Sequence, residues 1–340
     1  MERLKIGLIG VGLLGSMRLD DMTERIPEAD VIAISDVDGC KVKEMAAAYN
    51  IPAYYADYSE MLRDPRIEAV VISSSTNMHC RMICAAAKEG KHIFCEKPVA
   101  VSKEELDNIG SHLSNYSDIR FQLGFTKRYE SAHMHIKRAI ENGSIGTPIL
   151  VKCAAREAMG PVDEYLQRAA SNLGVVFDMA IHDIDLALWY MGSDVKSIYA
   201  MGGIFGAEGL RSIGDVDNYT IVMKFKNDAM AILDGSRNPD VSQLRQVEVL
   251  GTHGVMELNL EGEKILRTES LESAVYHKLS GGANIVYEKF RAAYTNELAA
   301  FIRSVLGGEI PQPGFSDARR ALELTIDANR SMAENRLIEY

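Results

Sequence analysis

Three residues in the middle of the chain, Asp178, His182 and Asp185, are of types that can move a proton. On a helix, residues three or four apart lie on about the same side, so this spacing would place both carboxylates beside the histidine. A carboxylate can hold a histidine in one tautomer, and such a histidine can act as a general base near neutral pH. Taken alone, however, the three residues are better explained as the polar face of an ordinary helix.

A glycine-rich turn near the N-terminus is the second group with a chemical interpretation. Gly10, Gly12 and Gly15 follow an apolar run that is typical of a strand, and they open a helix pattern from about Leu13 to Thr23. In this spacing the first glycine permits a tight bend, the second lets the backbone approach a pyrophosphate, and the third lets helix and strand pack closely. The pyrophosphate would lie at the helix N-terminus. The turn therefore predicts a dinucleotide-binding domain.

An acidic residue after the second apolar run indicates which dinucleotide this domain binds. Asp36 directly follows Val31–Ser35, where a carboxylate accepts hydrogen bonds from the adenosine ribose hydroxyls. Its negative charge would repel a 2′-phosphate, and no arginine follows it directly. NAD is therefore favoured over NADP. The alternative, a glycine turn in an α/β domain that binds no nucleotide, leaves the position of Asp36 unexplained.

Lys97 follows another predicted strand and is the third candidate for chemistry. The segment Glu96-Lys97-Pro98 comes at the carboxyl end of His92–Cys95, where a nicotinamide ring would lie. A lysine beside a cationic ring and partly shielded from water is suited to proton transfer. Pro98 stiffens the turn, and its peptide bond is of the kind that can be cis. The alternative is a solvated surface lysine, as most lysines are.

Polar residues at other predicted strand ends could complete a binding site. The loop Ser73–His79 follows a strand and precedes a helix, so its side chains could bond to the cofactor ribose and carboxamide, although capping of the helix by Asn77 explains part of the pattern. Two arginines could recognise substrate oxygens, although single arginines are more often surface residues. These candidates are Ser74, Thr76, Asn77 and His79 for the cofactor, and Arg128 and Arg156 for the substrate.

The elements that position these residues form two patterns. Strands and helices alternate up to about residue 124, which is typical of a parallel sheet with helices on both faces. Beyond about Gly146, strand-like runs follow one another with short turns such as Lys226–Asp228, which favours an antiparallel sheet. The later predicted elements are strands Ala69–Ser74, His92–Glu96, Phe121–Phe125, Ile149–Ala155, Lys196–Met201, Asn218–Phe225, Ala229–Ser236, Arg245–Leu250 and Val255–Leu260, and helices His79–Glu89, Ser102–Ser114, Val175–Tyr190, Asn284–Leu306 and Asp317–Asn335.

These patterns predict an α/β protein with two domains. An N-terminal Rossmann domain with a parallel sheet would cover residues 1–124 and bind the cofactor. A C-terminal α+β domain with an open, mainly antiparallel sheet would cover residues 125–340. A chain of 340 residues exceeds the size at which a single core usually stops growing, which agrees with two domains.

Composition excludes several classes of function. The chain is 47% hydrophobic and 25% charged, like an ordinary globular protein, and its net charge of −11 argues against binding to nucleic acid. Its five cysteines form neither a C-x-x-C pair nor a zinc spacing, so we expect free thiols and no metal site. An N-terminus without a signal-peptide pattern and the lack of a bilayer-spanning apolar stretch predict a cytoplasmic protein that does not bind membranes.

Taken together, four motifs resemble the glucose-fructose oxidoreductase / inositol dehydrogenase / rhizopine catabolism (Gfo/Idh/MocA) family over essentially the whole chain. They are Gly10-x-Gly12-x-x-Gly15, Ser74-Ser75-Thr76-Asn77-Met78-His79, Glu96-Lys97-Pro98 and Asp178-Met179-Ala180-Ile181-His182-Asp183. Within the family the pattern is most similar to the inositol dehydrogenases, on the further motifs Gly124–Tyr129, Gly214–Asp217 and Asp234–Arg237.

The resemblance implies an NAD-dependent dehydrogenase that oxidises a secondary hydroxyl of a cyclic polyol, with myo- or scyllo-inositol as the leading substrate. It implies that His182 takes the hydroxyl proton, that Asp178 orients His182, and that Lys97 binds the same oxygen. It also implies a homo-oligomer, a dimer or tetramer formed through the C-terminal sheet. The implied cofactor contacts are Gly10, Gly12, Leu14, Gly15, Asp36, Ser74, Thr76, Asn77, His79, Glu96 and Lys97, and the implied substrate contacts are Lys97, Arg128, Arg156, Asp178 and His182.

Two departures from the family pattern leave the substrate open. Inositol dehydrogenases tend to have paired glycines before the catalytic Asp and tyrosines after the Ser-Arg motif, whereas this chain has Ser171–Phe177 and Asn238–Leu244 there. The alternatives are a dehydrogenase of a sugar or glycoside, a non-catalytic NAD-binding sensor, and an enzyme that re-reduces one tightly held cofactor in each cycle. Retention of Lys97, Asp178 and His182 argues against a sensor, which needs no proton relay.

Overall fold

The structure is a computed structural model that describes residues 2–171, 173–237, 244–259, 264–270, 274–279 and 286–340. The chain divides into two compact units. The first comprises Met1–Tyr129 and Phe290–Arg320, and the second comprises Glu130–Lys289 and Ala321–Tyr340. Each unit is built around its own sheet.

The sheet of the first unit has six parallel strands in the order β3-β2-β1-β4-β5-β6, which is the doubly wound order of a Rossmann fold. Its central strands are buried along nearly their whole length because helices cover both faces. The strands are β1 (Leu4–Ile9), β2 (Ala29–Ser35), β3 (Ala53–Tyr55), β4 (Ala69–Ile72), β5 (His92–Glu96) and β6 (Phe121–Gly124). The helices between them are α1 (Leu13–Glu24), α2 (Gly39–Ala48), α3 (Tyr58–Leu62), α4 (Thr76–Lys88) and α5 (Lys103–Asn115). The predicted parallel sheet is confirmed.

The second unit contains a larger, mostly antiparallel sheet. Among the described residues it has nine strands in the order β14-β13-β12-β11-β7-β10-β9-β8-β15, with one parallel pair, β7 and β10. The strands are β7 (Pro148–Arg156), β8 (Val195–Gly203), β9 (Asn218–Phe225), β10 (Met230–Ser236), β11 (Leu244–Gly251), β12 (Gly254–Asn259), β13 (Lys264–Ser270), β14 (Ala274–Leu279) and β15 (Ile338–Glu339). The predicted hairpin at Lys226–Asp228 joins the antiparallel strands β9 and β10. The open, mainly antiparallel sheet is thus confirmed.

The two faces of this sheet differ in burial. The helix α8 (Ile181–Met191) packs against β7 and β10, and the side chains on that face, such as Val151, Leu233 and Val249, are buried. Because side chains alternate along a strand, the neighbouring residues Met230 and Ile232 lie on the other face, where they are exposed. The remaining helices in chain order are α6 (Ser131–Glu141), α7 (Val162–Ser171), α9 (Val286–Gly307) and α10 (Phe315–Glu334).

The predicted helix Val175–Tyr190 is present, but its first part is not a regular α-helix. Val176–Ala180 forms a π-helical turn that continues directly into α8. A π turn is wider than an α turn and often occurs at functional sites. Asp178 lies in the π turn and His182 in α8, so the two residues are about one turn apart on a continuous helix.

Residues 290–320 belong to the first unit, whereas the predicted boundary between residues 124 and 125 assigns them to the second domain. The reason is apolar packing: Leu298, Phe301 and Ile302 of α9 are buried in the same core cluster as Leu8 and Phe94 of the parallel sheet. The sequence pattern identified α9 as a helix but gave no indication of which sheet it would cover.

Candidate active site

The glycine turn has the geometry that its spacing predicts. Gly10 adopts a φ of +91°, and a Cβ there would lie 2.5 Å from the carbonyl oxygen of Ser73. A Cβ on Gly15 would lie 2.0 Å from the carbonyl oxygen of Gly10, so only glycine allows this close approach of α1 to the turn. Gly12 is different, because a Cβ there would meet nothing within 4 Å.

The open space at Gly12 fits a bound pyrophosphate. Gly12 is the N-cap of α1, and among the described residues no side chain caps this helix. The N-terminal N–H groups of a helix attract anions when nothing else satisfies them. The turn therefore has the bare backbone surface that a dinucleotide requires, with Leu14 in the first turn of the helix.

Asp36 lies beside this turn, at the carboxyl end of β2. Its Oδ2 atom accepts a hydrogen bond from the backbone N–H of Val11 at 2.8 Å, and its Oδ1 atom accepts one from the N–H of Asp38 at 3.0 Å. The carboxylate is partly exposed and is fixed in orientation by these two bonds. The structure thus brings Asp36 and the glycine turn together within the first unit.

Lys97 directly follows β5, and the Lys97–Pro98 peptide bond is cis. The lysine side chain is partly buried. Its neighbour Glu96 is almost fully buried, and Arg18 of α1 donates to Glu96 Oε1 from Nε at 2.8 Å. The Glu96 side chain is thus engaged inside the protein by Arg18, and its contact with the cofactor stays a prediction.

Arg18 also pairs with a second buried carboxylate, that of Glu297 in α9. Its Nη2 atom lies 2.6 Å from Glu96 Oε1 and 2.7 Å from Glu297 Oε2, and all three side chains are buried. Burial raises the pKa of Glu297 to about 7, although Arg18 and a hydrogen bond from Thr126 oppose the shift. This ion-pair cluster therefore anchors the residue before Lys97 to two helices of the first unit.

His79 joins two loops at the same edge of the parallel sheet. Its Nδ1 atom lies 2.7 Å from the carbonyl oxygen of Pro98, and its Nε2 atom lies 3.1 Å from the carbonyl oxygen of Ser74. Burial lowers the pKa of His79, although the two hydrogen bonds oppose this shift. Both ring nitrogens face backbone carbonyls, so His79 connects the Ser74 loop to the Lys97 turn. Its contact with the cofactor stays a prediction.

The rest of that loop opens α4. The N-cap is Ser75 and not Asn77, and no described side chain caps the helix. Thr76 and Ser74 are partly buried, and Asn77 is exposed in the first turn. These polar side chains therefore surround a helix N-terminus at the carboxyl end of β4, as the sequence predicts.

In the second unit, Asp178 forms an ion pair with an arginine that the sequence analysis did not select. Arg237 follows β10, and its Nη2 atom lies 2.6 Å from Asp178 Oδ2 and 2.9 Å from Glu157 Oε2. Arg245 of β11 donates to the other oxygen of Glu157. His182 is partly buried one turn beyond Asp178. Asp178, on the polar face of this helix, thus pairs with Arg237, which Glu157 also holds.

The N-terminus of the helix that carries Asp178 is held by Asp215. Both carboxylate oxygens of Asp215 lie 3.1 Å from the backbone nitrogen of Val175, which donates to them. Gly174 precedes this residue with a φ of +89°, and a Cβ there would lie 2.5 Å from Asp215 Oδ1. Burial raises the pKa of Asp215, although the hydrogen bonds from Val216 and Val175 oppose the shift.

The two arginines predicted to contact substrate have other partners. Arg128 is almost fully buried, and its Nη2 atom lies 3.0 Å from Asp317 Oδ1 within the first unit. Arg156 pairs with Asp234, on the sheet face opposite the one that α8 covers. Alternation along β7 instead directs Glu157 to the side of Asp178. The structure therefore brings Glu157 and Arg237 to Asp178, and it does not bring Arg156 there.

Sequence reasoning missed Arg237 and Glu157 as partners of Asp178. A signal was present for Arg237, because it ends the Asp234–Arg237 motif. Glu157 gave no comparable signal, since its contact depends on the pairing of distant strands. Of the two departures from the family pattern, residues 238–243 and Asn172 lie outside the described residues.

The described residues also bear on metals and membranes. Nowhere in that part of the chain do three or more His, Cys, Asp or Glu side chains form a group that could hold a metal ion. Among the same residues, no helix has the length and apolarity needed to cross a membrane.

Comparison with known proteins assigns the class. Residues 4–125 match the model of an oxidoreductase family with an NAD-binding Rossmann fold, and residues 133–257 match the model of the GFO/IDH/MocA C-terminal domain. The protein is therefore an oxidoreductase-family protein with an NAD-binding Rossmann domain. More particularly, the chain belongs to the Gfo/Idh/MocA family, as the resemblance implies.

Individual relatives agree with this assignment along the whole chain. The chain is 31% identical over 340 residues to myo-inositol 2-dehydrogenase of Thermotoga maritima, covering 99% of this chain and 98% of that protein. It matches the crystal structure of a probable dehydrogenase from Thermotoga maritima with a TM-score of 0.87 and 31% identity, covering 99% and 98% of the two chains. It also shares the fold of scyllo-inositol dehydrogenase from Lactobacillus casei, solved with NAD(H) and scyllo-inositol, with a TM-score of 0.88, 23% identity and 99% of each chain covered.

Proposed function

We propose that this protein is an NAD-dependent dehydrogenase that oxidises a secondary hydroxyl of a cyclic polyol to a ketone, with myo- or scyllo-inositol as the leading substrate. The observation that carries the proposal is the ion pair that Arg237 forms with Asp178. Asp178 lies on the helix that bears His182. This pair supplies a fixed carboxylate about one turn from a histidine, in a chain whose relatives include named inositol dehydrogenases.

NAD is the proposed cofactor. The glycine turn leaves a bare helix N-terminus for the pyrophosphate, and the fixed Asp36 carboxylate is suited to accept hydrogen bonds from the ribose hydroxyls. The proposed direct contacts are Gly10, Gly12, Leu14, Gly15, Asp36, Ser74, Thr76, Asn77 and Lys97. Glu96 and His79 are proposed cofactor contacts as well, and their side chains also bond to Arg18 and to backbone carbonyls, respectively.

Lys97, Asp178 and His182 are the proposed catalytic residues. His182 takes the proton of the substrate hydroxyl, because a histidine is suited to accept a proton near neutral pH. Asp178 orients His182 and stabilises its protonated form, and Lys97 donates a hydrogen bond to the same substrate oxygen. The bound cofactor supplies the acceptor for the hydride that leaves the carbinol carbon.

The charge around Asp178 favours a neutral substrate. Arg237 pairs with Asp178 and Glu157, and Arg245 pairs with Glu157. An arginine that binds a substrate carboxylate or phosphate offers its guanidinium fork to that anion. Here each of the two guanidinium groups already pairs with a protein carboxylate, so a polyol is a better candidate than a sugar acid or a sugar phosphate.

The second unit is the proposed substrate-binding and oligomerisation part. On the sheet face opposite α8, the apolar side chains of Val222, Met230 and Ile232 are exposed by 41%, 45% and 37%. An exposed apolar patch of this kind is typical of a protein interface. We therefore expect a homodimer or homotetramer formed through this sheet, measurable as the molar mass by light scattering.

The proposal is tested by the initial rate of NADH formation from NAD, with NADP in parallel, on myo-, scyllo- and D-chiro-inositol, glucose, xylose and a simple glucoside. NAD-linked turnover of one inositol supports the proposal, and product analysis identifies the oxidised carbon. Turnover of glucose, xylose or the glucoside alone would reassign the protein to sugar oxidation. Binding of NAD without turnover of any of the six compounds would contradict the proposal and favour a sensor, whereas failure of added NAD to exchange would indicate a tightly held cofactor.

A further inference from the structure

Four charged side chains of the second unit form a continuous chain of alternating sign. Asp178 pairs with Arg237, Arg237 pairs with Glu157, and Glu157 pairs with Arg245. The four come from the π turn, the residue after β10, the residue after β7, and β11. The side chains are between 15% and 27% exposed, so water screens these interactions less than it would at the open surface.

Arg237 is one of the two inner members of this chain and contacts four other residues. Its Nη2 atom donates to both carboxylates, at 2.6 Å to Asp178 Oδ2 and 2.9 Å to Glu157 Oε2. Its guanidinium carbon lies 5.6 Å from the centre of the Tyr165 ring. Its backbone N–H donates to the carbonyl oxygen of Asp217 at 2.7 Å. A guanidinium held in this way can fix the orientation of a carboxylate that bonds to it.

The electrostatic environment favours charged forms along this chain. Burial alone would raise the pKa of Glu157, but Arg245 and Arg237 together hold that pKa below its ordinary value. Burial likewise opposes the charge on Arg237, whereas Asp178 and Glu157 raise its pKa further above the usual value. Other groups that act on this region include Tyr165, whose own pKa burial raises to about 12, Tyr219, whose pKa burial raises well above its usual value, and Asp215. His182 lies on the same helix as Asp178.

We propose that Arg237 is a positioning residue for the reaction: its guanidinium fixes the Asp178 carboxylate and keeps it ionised while His182 exchanges a proton with substrate. The inference rests on the proposed function, since it assigns to Arg237 a task in that reaction. Without the guanidinium, Asp178 would lose this ion pair and would protonate more readily, because an adjacent opposite charge commonly lowers a carboxyl pKa by about 1 to 3 units. Arg237 itself touches neither cofactor nor substrate in this scheme.

The test compares Arg237→Met, which removes the charge but keeps much of the side-chain volume, with Arg237→Lys, which keeps the charge but loses the fork. For Arg237→Met we expect kcat to fall at least about tenfold at neutral pH with a smaller change in KM, and the acidic limb of the kcat profile to move up by about one pH unit or more. In Arg237→Lys the acidic limb should stay at its wild-type position, because the positive charge is kept. Arg330→Met, which breaks the exposed pair with Glu334 in the same unit, is the matched control and should leave the profile unchanged.

A second readout does not depend on turnover. The pKa of His182 is measured by NMR of histidine Cε1, with the signal assigned from a His182→Gln sample. Arg237→Met removes the positive charge that pairs with Asp178, one turn from His182, and should raise this pKa, whereas Glu157→Gln removes a negative charge and should lower it. Arg237→Lys should leave it close to the wild-type value.

The outcomes separate the inference from the function on which it rests. If the wild type oxidises none of the polyols, the proposed function fails, and the NMR titration still decides whether Arg237 controls the charge at His182. If Arg237→Met keeps the wild-type acidic limb and the wild-type pKa of His182 while only its unfolding temperature changes, Arg237 has a structural role alone and the proposal is overturned. Equal shifts in Arg330→Met would also overturn it.

Discussion

The carboxylate of Asp36 accepts a hydrogen bond from the backbone N–H of Val11 at 2.8 Å. This bond joins the end of β2 to the glycine turn between β1 and α1, so the acidic residue and the turn that would bind the pyrophosphate are held in one arrangement. A second bond, from the N–H of Asp38, engages the other carboxylate oxygen. The position of the negative charge is therefore set by the backbone and not by side-chain rotation.

Asp36→Ser should relax the preference for NAD over NADP. The substitution removes the charge that repels a 2′-phosphate, so the ratio of kcat/KM for NAD to that for NADP should fall about tenfold or more, the equivalent of about 1.4 kcal/mol. Steady-state rates with both cofactors measure the ratio. Asp57→Asn is a suitable control, because it neutralises a different carboxylate of the first unit, the one that caps α3, and should leave the ratio unchanged. An unaltered ratio in Asp36→Ser would contradict the assignment of Asp36 to the ribose.

Lys97→Ala should lower turnover far more than it weakens NAD binding. Proton transfer and the polarisation of a reacting oxygen by a positioned side chain contribute roughly 10²- to 10⁴-fold to a rate. We expect kcat to fall within this range, while the dissociation constant of NADH, measured by fluorescence, changes little. Lys88→Ala, at the exposed C-terminal end of α4, should retain full activity. Wild-type turnover in Lys97→Ala would show that the reaction occurs elsewhere.

The cofactor half of the site could be predicted from sequence because its signals are local. A φ of +91° at Gly10 and the approach of Gly15 to the Gly10 carbonyl depend on residues only five apart. A glycine at such a position is recognisable because other residues would be strained or would clash. The parallel sheet likewise follows from alternating buried strands and helices.

The environment of Asp178 and Glu96 could not be predicted because its contacts are between distant residues. The Asp178–Arg237 pair spans 59 residues, and the Arg18–Glu297 pair spans 279. Neither pair leaves a periodic pattern in the sequence. The face on which Arg156 lies depends on the register of β7 with β10, and a shift of one residue would reverse it.

Gly174→Ala should destabilise the protein and reduce activity together. The φ of +89° costs an alanine roughly 1 to 2 kcal/mol, and the new Cβ would also lie 2.5 Å from the Asp215 carboxylate that holds the helix N-terminus. Urea unfolding measures the loss of stability. Gly143→Ala is the matched control, since Gly143 has a φ of +77° but open space around the Cβ position, and it should cost only the backbone term. Equal losses in the two variants would show that the Asp215 contact has no effect.

Glu297 should make the protein less stable as the pH rises. Burial raises its pKa from 4.5 to about 7, so between these values the folded protein keeps a proton that the unfolded chain has released. The folded state binds more protons there, and the free energy of unfolding therefore falls across this interval. This contribution is fully present at and below pH 4.5 and is lost once the pH exceeds about 7.

Glu297→Gln should flatten this part of the stability profile, because an amide does not titrate. The variant should gain stability relative to the wild type as the pH is raised from about 5 to 8, as measured by urea unfolding at each pH. Glu334→Gln is the control. Arg336 and Arg330 lower the pKa of that exposed carboxyl, so its replacement should leave the fall in the free energy of unfolding with rising pH unchanged. Parallel profiles for Glu297→Gln and the wild type would contradict the raised pKa.

The attachment of residues 290–320 to the first unit has a consequence for the order in which the protein can be made. A ribosome completes β1 to β6 within the first 124 residues, yet the apolar side chains of α9 that close this core emerge only after residue 297. Arg18 likewise forms its ion pair with Glu297 only after Glu297 has been synthesised, more than 270 residues later. A nascent chain or an expressed fragment that ends near Tyr129 would therefore expose the apolar side chains that α9 covers, and Arg18 would have Glu96 but not Glu297 as a carboxylate partner. The cofactor-binding half can reach its final form only when almost the whole polypeptide has been released.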